Sequence, residues 1–439
     1  MKFSKLVGIW GELEGISSRN RMMEILAGLL KETDEDEVEE VVNLSLGRLG
    51  VLYERLDFSL AEKQVVKALA VASDMSGEEV QRRYKSLGDL GKVAEEILAS
   101  DKGEQISVKE VYEQLVIIAK DSGEGSQDRK IQGLAVMLKK MSASEAKFAT
   151  RIVMGKLRLG FSDKTVLDAV SFMEKGDKSV KEMLELSYQI RPEIGYLVRQ
   201  VKKVGALRLS GGVEMKLGIP IMPMLCQRLK STEEMVKKMG EVAVEPKFDG
   251  TRVQIHFKRG KDGFVRTFTR NLEETSLMFP ELFKIGDHVE ADELVLDSEA
   301  VGFDPKSGKM LPFQMTITRK RKHGIEEQAK SVPLKFFVFD VMYMNGKSLI
   351  EKTYEERRKI LKGIIKGRDL LVADDYWVTN DPGKIRETHE KLLKEGFEGV
   401  VVKKEDSRYV PGRTGWRWVK MKEVEEAAGK LSDTLDCVV

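Results

Sequence analysis

The sequence predicts a multidomain protein: an all-α domain over residues 1–210, then an α+β domain with antiparallel sheets over residues 211–425. Three observations predict it. A chain of 439 residues exceeds what one hydrophobic core holds. Apolar residues recur at helical spacing through the first half and alternate as in strands from residue 241 onward. Between the two regimes, Gly211-Gly212 and the run Gly218-Ile-Pro220-Ile-Met-Pro223-Met224-Leu225 cannot continue a helix. The boundary is set there, within about ten residues.

In the first domain Leu6, Ile9, Trp10 and Leu13 share one helical face, as do Met22, Ile25, Leu26 and Leu29. Ser17 and Ser18 are suited to cap the second of these helices. Further helices are expected at Glu78–Leu87, Val108–Ala119, Lys130–Met141 and Ser144–Met154, with a flexible connection at Gly123–Ser126. No repeat period is present, which argues against a solenoid.

In the second domain Val253, Ile255 and Phe257 alternate with Arg252, Gln254 and His256, so the two sets occupy opposite faces of a strand. Asp249-Gly250 and Lys261-Asp262-Gly263 both read as hairpin turns. Strands are expected at Val295–Phe303, Leu334–Met342 and Glu398–Lys404, and a helix at Tyr354–Ile365. Asp381 as N-cap and Pro382 at N1 open another helix that ends near Gly396.

Composition narrows the function classes. Apolar residues make up 41% and charged residues 33%, as in globular proteins. Net charge is +2, so any nucleic-acid contact rests on local basic patches. Cys226 and Cys437 fit neither a disulfide framework nor a zinc site. No apolar run reaches the roughly 18 residues of a membrane span, and no signal peptide is visible. A cytoplasmic protein is expected.

The chemistry concentrates in Glu245-Pro246-Lys247-Phe248-Asp249-Gly250-Thr251-Arg252. Glu245 and Lys247 are two apart on a strand and face one side. A lysine becomes nucleophilic when a nearby cation or metal favours its neutral form, and Arg252 is placed to bind phosphate. On its own the octapeptide also fits a solvated hairpin tip. Arg270 in Phe268-Thr-Arg270-Asn271 reaches ribose or phosphate, or is a surface arginine. Asp297 and Glu299 share one face of an apolar strand and either serve Mg²⁺ and ribose or form a structural ion pair. Phe336-Phe337-Val338-Phe339-Asp340 offers rings for the core or for stacking on a purine. Lys420 and Lys422, in Trp418-Val-Lys-Met-Lys, emerge on one side of a strand, as a phosphate clamp requires.

The ordered set EPKFDGTR, FTRN, LDSEAVGFD, FFVFD, EGVVVK and WVKMK resembles the ATP-dependent DNA ligases of the archaeal and eukaryotic replicative type, within the lysine-adenylate nucleotidyltransferase superfamily. The first motif alone is shared with mRNA capping enzymes; six motifs in order are far more specific. Gly155-Lys156-Leu157-Arg158-Leu159-Gly160-Phe-Ser-Asp163-Lys164-Thr165 is similar to part of the ligase DNA-binding domain. The likeness covers essentially the whole chain.

The resemblance implies that Lys247 is adenylated by ATP. It implies that Glu245 contacts adenine and Phe339 stacks on it, and that Arg252 and Arg270 bind ribose and phosphate. Glu299 and Glu398 would serve Mg²⁺ and ribose, and Lys420 and Lys422 would hold the reacting phosphates. The partner implied is nicked double-stranded DNA, met through basic residues among which Lys130, Lys139, Lys156, Arg158 and Lys164 stand out. Roles in DNA replication, repair and recombination follow, with the protein acting as a monomer. A sliding clamp is a further partner in some relatives, but the paired aromatics of its binding motif are missing around Gln105-Ile106.

Two departures stand out. The family arginine six residues before the first motif lysine is Thr414 here, with Arg413 and Arg417 the candidates to replace it. The tail over residues 426–439 is similar to the start of a C-terminal OB-fold domain, so a truncated chain with impaired self-adenylation and sealing is expected. The rival readings are a catalytically weak nick-binding protein, an RNA-capping guanylyltransferase and an RNA ligase.

Overall fold

Helices occupy the chain from Phe3 to Gly211, and strands begin only at Val242. The computed structural model describes residues 1–54, 56–98, 103–211, 213–319, 325–412 and 415–422. Arg413, Thr414 and the expected OB-fold start at 426–439 lie outside the described residues. Two compact units are present: Met1–Tyr188 with Pro192–Val213, and Gln189–Arg191 with the chain from Glu214 onward.

The first unit is all helix. Phe3, Leu6, Trp10 and Leu13 are fully buried along one face of Phe3–Glu14. Trp10 meets Phe3 and Phe148 edge-on at 5.8 and 5.5 Å, and its indole N–H donates to Ser45 Oγ at 3.0 Å, so its one polar atom is satisfied inside the core. Ser18 caps Arg19–Glu32. Ser107 and Ser142 form reciprocal capping boxes with Glu110 and Glu145, each satisfying two backbone donors that a helix start leaves open. The helix expected from Lys130 begins at Ser126, after Gly125 at φ 73°. Gln127, Asp128 and Arg129 carry no apolar periodicity, so their helical state is set by the glycine turn and by Ile131 and Leu134 beyond them.

The second unit holds ten strands among the described residues: β1 (Val242–Lys247), β2 (Thr251–Lys258), β3 (Phe264–Thr269), β4 (Glu293–Gly302), β5 (Leu334–Met344), β6 (Lys347–Ser348), β7 (Leu371–Ala373), β8 (Trp377–Thr379), β9 (Gly399–Lys404) and β10 (Trp418–Lys422). They form two sheets, β10-β9-β1-β8 and β3-β2-β4-β5-β6, with β7 paired to β5. Pairing is antiparallel throughout except β5 with β7. Val253, Ile255 and Phe257 face the core of the larger sheet beside Leu296, Phe336 and Val338. Val242, Val244, Val400 and Val402 face a second core under the helix Pro382–Lys394.

The Lys261–Gly263 turn joins β2 to β3 as a hairpin. Asp249-Gly250 does not make one. β1 pairs with β8 and β9 while β2 pairs with β3 and β4, so this turn carries the chain from one sheet to the other. Long-range pairing overrides the local turn signal, since an apolar strand such as β1 binds wherever both its edges and faces are covered. A Cβ on Gly250 would lie 2.5 Å from the Ala300 carbonyl oxygen and 2.9 Å from Glu299 Cγ. Glycine is required because the crossing passes directly over β4.

Candidate active site

The crossing turn opens a cavity of about 620 Å³ between the two sheets. Strand alternation selects its walls. Glu245 and Lys247 enter from β1, Arg252 from β2, Glu299 from β4, Phe339 from β5, Lys403 from β9, and Trp418 with Lys420 from β10. Arg270, just past β3, and Glu398, just before β9, complete the rim.

Lys247 ends β1, and its ammonium pairs with Glu398 Oε2. The other Glu398 oxygen takes Lys422. Burial pushes the Glu398 carboxyl up, but the hydrogen bonds from Lys247 and Lys422 prevail and hold it below the usual range. Gly399 places this group: at φ 142°, a Cβ there would sit 2.1 Å from the Met421 carbonyl oxygen. Only glycine lets β9 and β10 meet here. Lys420 lines the cavity, and burial, then Lys422, pull its pKa down.

Glu245 lies deep in the cavity, 2% exposed. Lys403 Nζ contacts its Oε2 at 2.5 Å, and the Tyr354 hydroxyl donates to Oε1. Burial, then the nearby Asp374, push its pKa up to about 8, against the pull of Lys403. Lys403 itself sits among the rings of Trp418, Phe339 and Tyr354 at 4.4, 4.6 and 4.9 Å, a cation–π environment that compensates its loss of water. Phe339 packs edge-on to Trp418 and lines the cavity, whereas Phe336 is core.

Glu299 has no hydrogen-bond or ion-pair partner among the described residues. Burial raises its pKa from 4.5 to about 8; Lys247 and Arg252 oppose the rise, and Asp297 and Glu398 add to it. A carboxyl raised by folding contributes stability that is full below its unfolded value and lost as pH rises to the folded one. Glu299→Gln is therefore expected to flatten the decline of the urea midpoint between about pH 5 and pH 8; parallel profiles for both proteins would contradict this.

Several expectations change. Asp297 does not face a ligand: it is fully buried and pairs bidentately with Arg252, at 2.9 and 2.6 Å. The apolar face of β4 demands a partner for this charge, and β2 supplies it diagonally: Gln254 stands opposite Asp297, and Arg252 lies two residues before Gln254. Lys130 is not available to DNA. It is 4% exposed, and its ammonium donates to the carbonyls of Phe58 and Ala119 at 2.9 and 3.1 Å, so it ties two segments of the helical unit together. Lys139 is exposed and 3.3 Å from Asp74. Lys156, Arg158 and Lys164 are exposed on and beside the Gly155–Gly160 loop; Arg158 takes φ 62°, between Gly155 and Gly160 at 65° and 75°. Arg270 is exposed at the rim. Arg417 immediately precedes β10 and does not line the cavity.

Sequence reasoning missed Tyr354 and Tyr409, whose partners Glu245 and Asp297 lie 109 and 112 residues away, and Asp374, buried against Arg358 on the neighbouring helix. The lysine of EGVVVK was visible, though not its burial against Glu245. Among the described residues no three His, Cys, Asp or Glu side chains cluster as metal ligands, and no helix is long and apolar enough to cross a membrane.

Comparison with known proteins agrees with this geometry. A family model described as "ATP dependent DNA ligase domain" matches residues 223–422, and one described as "DNA ligase N terminus" matches residues 2–171. A "Probable DNA ligase" of Dictyoglomus turgidum is 37% identical over 441 residues, covering 100% of this chain and 74% of its own length. A "DNA ligase" of Saccharolobus solfataricus is 36% identical, covering 100% and 75%. The solved structure Pmar-Lig_PreS3 covers 95% of this chain and 78% of its own at TM-score 0.54 and 17% identity, which supports the fold. The chain belongs to the ATP-dependent DNA ligase family.

Proposed function

We propose that Lys247 is the nucleophile that takes AMP from ATP, and that the AMP then passes to the 5′-phosphate of a nick in duplex DNA. The observation that carries this is one cavity lined both by Lys247 with Glu398, whose other oxygen takes Lys422, and by Glu245 with Lys403 and Phe339. A base fits beside Phe339 and Glu245, and the phosphates fit beside Lys247 and Lys420.

In the first step Lys247 Nζ attacks the α-phosphorus. A P–N bond forms and the P–O bond to pyrophosphate breaks. Attack needs the nitrogen lone pair, so the ammonium proton leaves through Glu398 Oε2, which it already contacts. In the second step an oxygen of the DNA 5′-phosphate displaces Lys247 from the AMP. In the third the 3′-hydroxyl displaces AMP and the backbone closes. Positioning and cationic clamps dominate such displacements. Arg252 and Lys420 would hold nucleotide phosphates, with Arg270 reaching them from the rim.

Mg²⁺ fits the donor set: Glu299 has an unpartnered carboxyl and Glu398 lies across the same cavity. Mg²⁺ is commonly held by one or two carboxylates plus substrate phosphates, and there it would neutralise phosphate charge. In the helical unit Lys139, Lys156, Arg158 and Lys164 would contact DNA phosphates, giving affinity that falls steeply with salt and ignores sequence. The protein would thus seal nicks left by replication, repair and recombination.

The test is labelling with ATP carrying the label at the α or the γ position, with GTP in parallel. Covalent label from α-labelled ATP alone is expected. Retained γ label would indicate phosphoryl transfer, and preferential labelling by GTP would indicate a capping-type enzyme.

A further inference from the structure

A closed ring of buried and half-buried hydrogen bonds stands beside the cavity and joins four distant segments. Met224 N–H donates to the Tyr409 hydroxyl oxygen at 3.0 Å. The Tyr409 O–H donates to Asp297 Oδ2 at 3.0 Å. Asp297 accepts Arg252 Nε at 2.9 Å and Nη2 at 2.6 Å. Arg252 Nη1 returns to the Met224 carbonyl oxygen at 2.7 Å. The backbone N–H and carbonyl of Met224 and both carboxylate oxygens of Asp297 are thereby committed to the ring. Tyr409 is 1% exposed and does not line the cavity; its ring packs edge-on against Trp418 at 5.7 Å.

Of the four ring residues, Arg252 alone lines the cavity. Its guanidinium carbon lies 5.4 Å from the Phe339 centroid and 5.7 Å from that of Trp418. Three of the five guanidinium N–H groups are taken by Asp297 and Met224, leaving one on Nη1 and one on Nη2. A guanidinium recognises phosphate through its planar fork, so its orientation decides the strength of the contact. Held by Asp297 alone, the fork can pivot about the carboxylate; the Met224 carbonyl removes that freedom, and Tyr409 fixes Met224.

We propose that Tyr409 is a positioning residue for nucleotide phosphate: through Asp297 and Met224 it sets the orientation of Arg252 in the cavity wall. The assignment rests on the nucleotide reading of the cavity given above. Tyr409 does not line the cavity, so loss of its hydroxyl acts on whatever Arg252 holds and spares the base.

The test is Tyr409→Phe, which keeps the ring and deletes the hydroxyl, with Asp297→Asn as a second variant that keeps the shape and weakens the hold on Arg252. AMP and ATP affinities are measured by calorimetry, and adenine affinity by NMR titration. Both variants are expected to bind AMP and ATP about ten-fold more weakly while binding adenine as the wild type does. Unchanged AMP and ATP affinity, or an equal loss for all three ligands, would overturn the role of Tyr409 and leave the nucleotide site standing. A wild type that binds neither AMP nor ATP would overturn both.

Discussion

Replacing Lys247 with alanine is expected to cut AMP transfer to the chain below about one part in a thousand of wild type, because no other group in the cavity supplies the attacking nitrogen at that place. The loss should be chemical and not structural. Lys247 is 20% exposed at its side chain, and Glu398 keeps Lys422 when Lys247 is gone. A stability change of about 1–2 kcal/mol at most follows for a half-buried ion pair whose carboxylate keeps a second partner. Lys247→Arg sharpens the test. Arginine keeps the charge opposite Glu398, yet a guanidinium is not deprotonated in proteins. If Lys247 only held phosphate, Lys247→Arg would label nearly as well as wild type. As the nucleophile, it should fail as completely as alanine. Covalent labelling with α-labelled ATP distinguishes the two.

The second large effect concerns what holds the cavity in shape. Asp340 on β5 and Arg357 on the helix Tyr354–Ile364 are both 0% exposed and pair at 2.7 and 3.0 Å. The same arginine donates to the carbonyls of Lys352 and Ser407. This contact docks the helix whose first residue, Tyr354, reaches Glu245. Asp340→Ala leaves a buried guanidinium without its counter-charge and is expected to cost about 3–5 kcal/mol, read as a lower urea midpoint. Asp340→Asn keeps the shape and part of the hydrogen bonding and should cost less. Since Tyr354 loses its docking, nucleotide affinity should fall in the alanine variant even at temperatures where it remains folded. A loss of stability with ATP affinity intact would separate the helix from the site.

The two-part architecture was legible from periodicity because each pattern is local: Leu6, Trp10 and Leu13 fall on one face of a helix, and Val253, Ile255 and Phe257 on one face of a strand. Capping was legible for the same reason, at Ser18 and at Asp381 with Pro382. The Asp249-Gly250 crossing was not, because its two strands carry the same local signal as a hairpin, while β1 pairs with β9 about 150 to 160 residues away and β2 with β4 about 35 to 50 residues away. Asp297 and Glu299 illustrate the same limit. They sit two apart on one strand, yet the first is consumed by Arg252 and the second is left without a partner in the cavity. Lys130 and Lys156 look alike in sequence, but only tertiary packing shows that the first is sealed against Phe58 and Ala119 while the second is exposed. Charges are interchangeable in a sequence pattern; burial sorts them.

The most direct measurement is peptide mass mapping of the wild-type chain after incubation with ATP and Mg²⁺. The peptide containing Lys247 should carry the mass of one AMP, lost again on adding pyrophosphate. An adduct on Lys420 or Lys422, or none on the chain under conditions where it binds ATP, would contradict the assignment of the nucleophile.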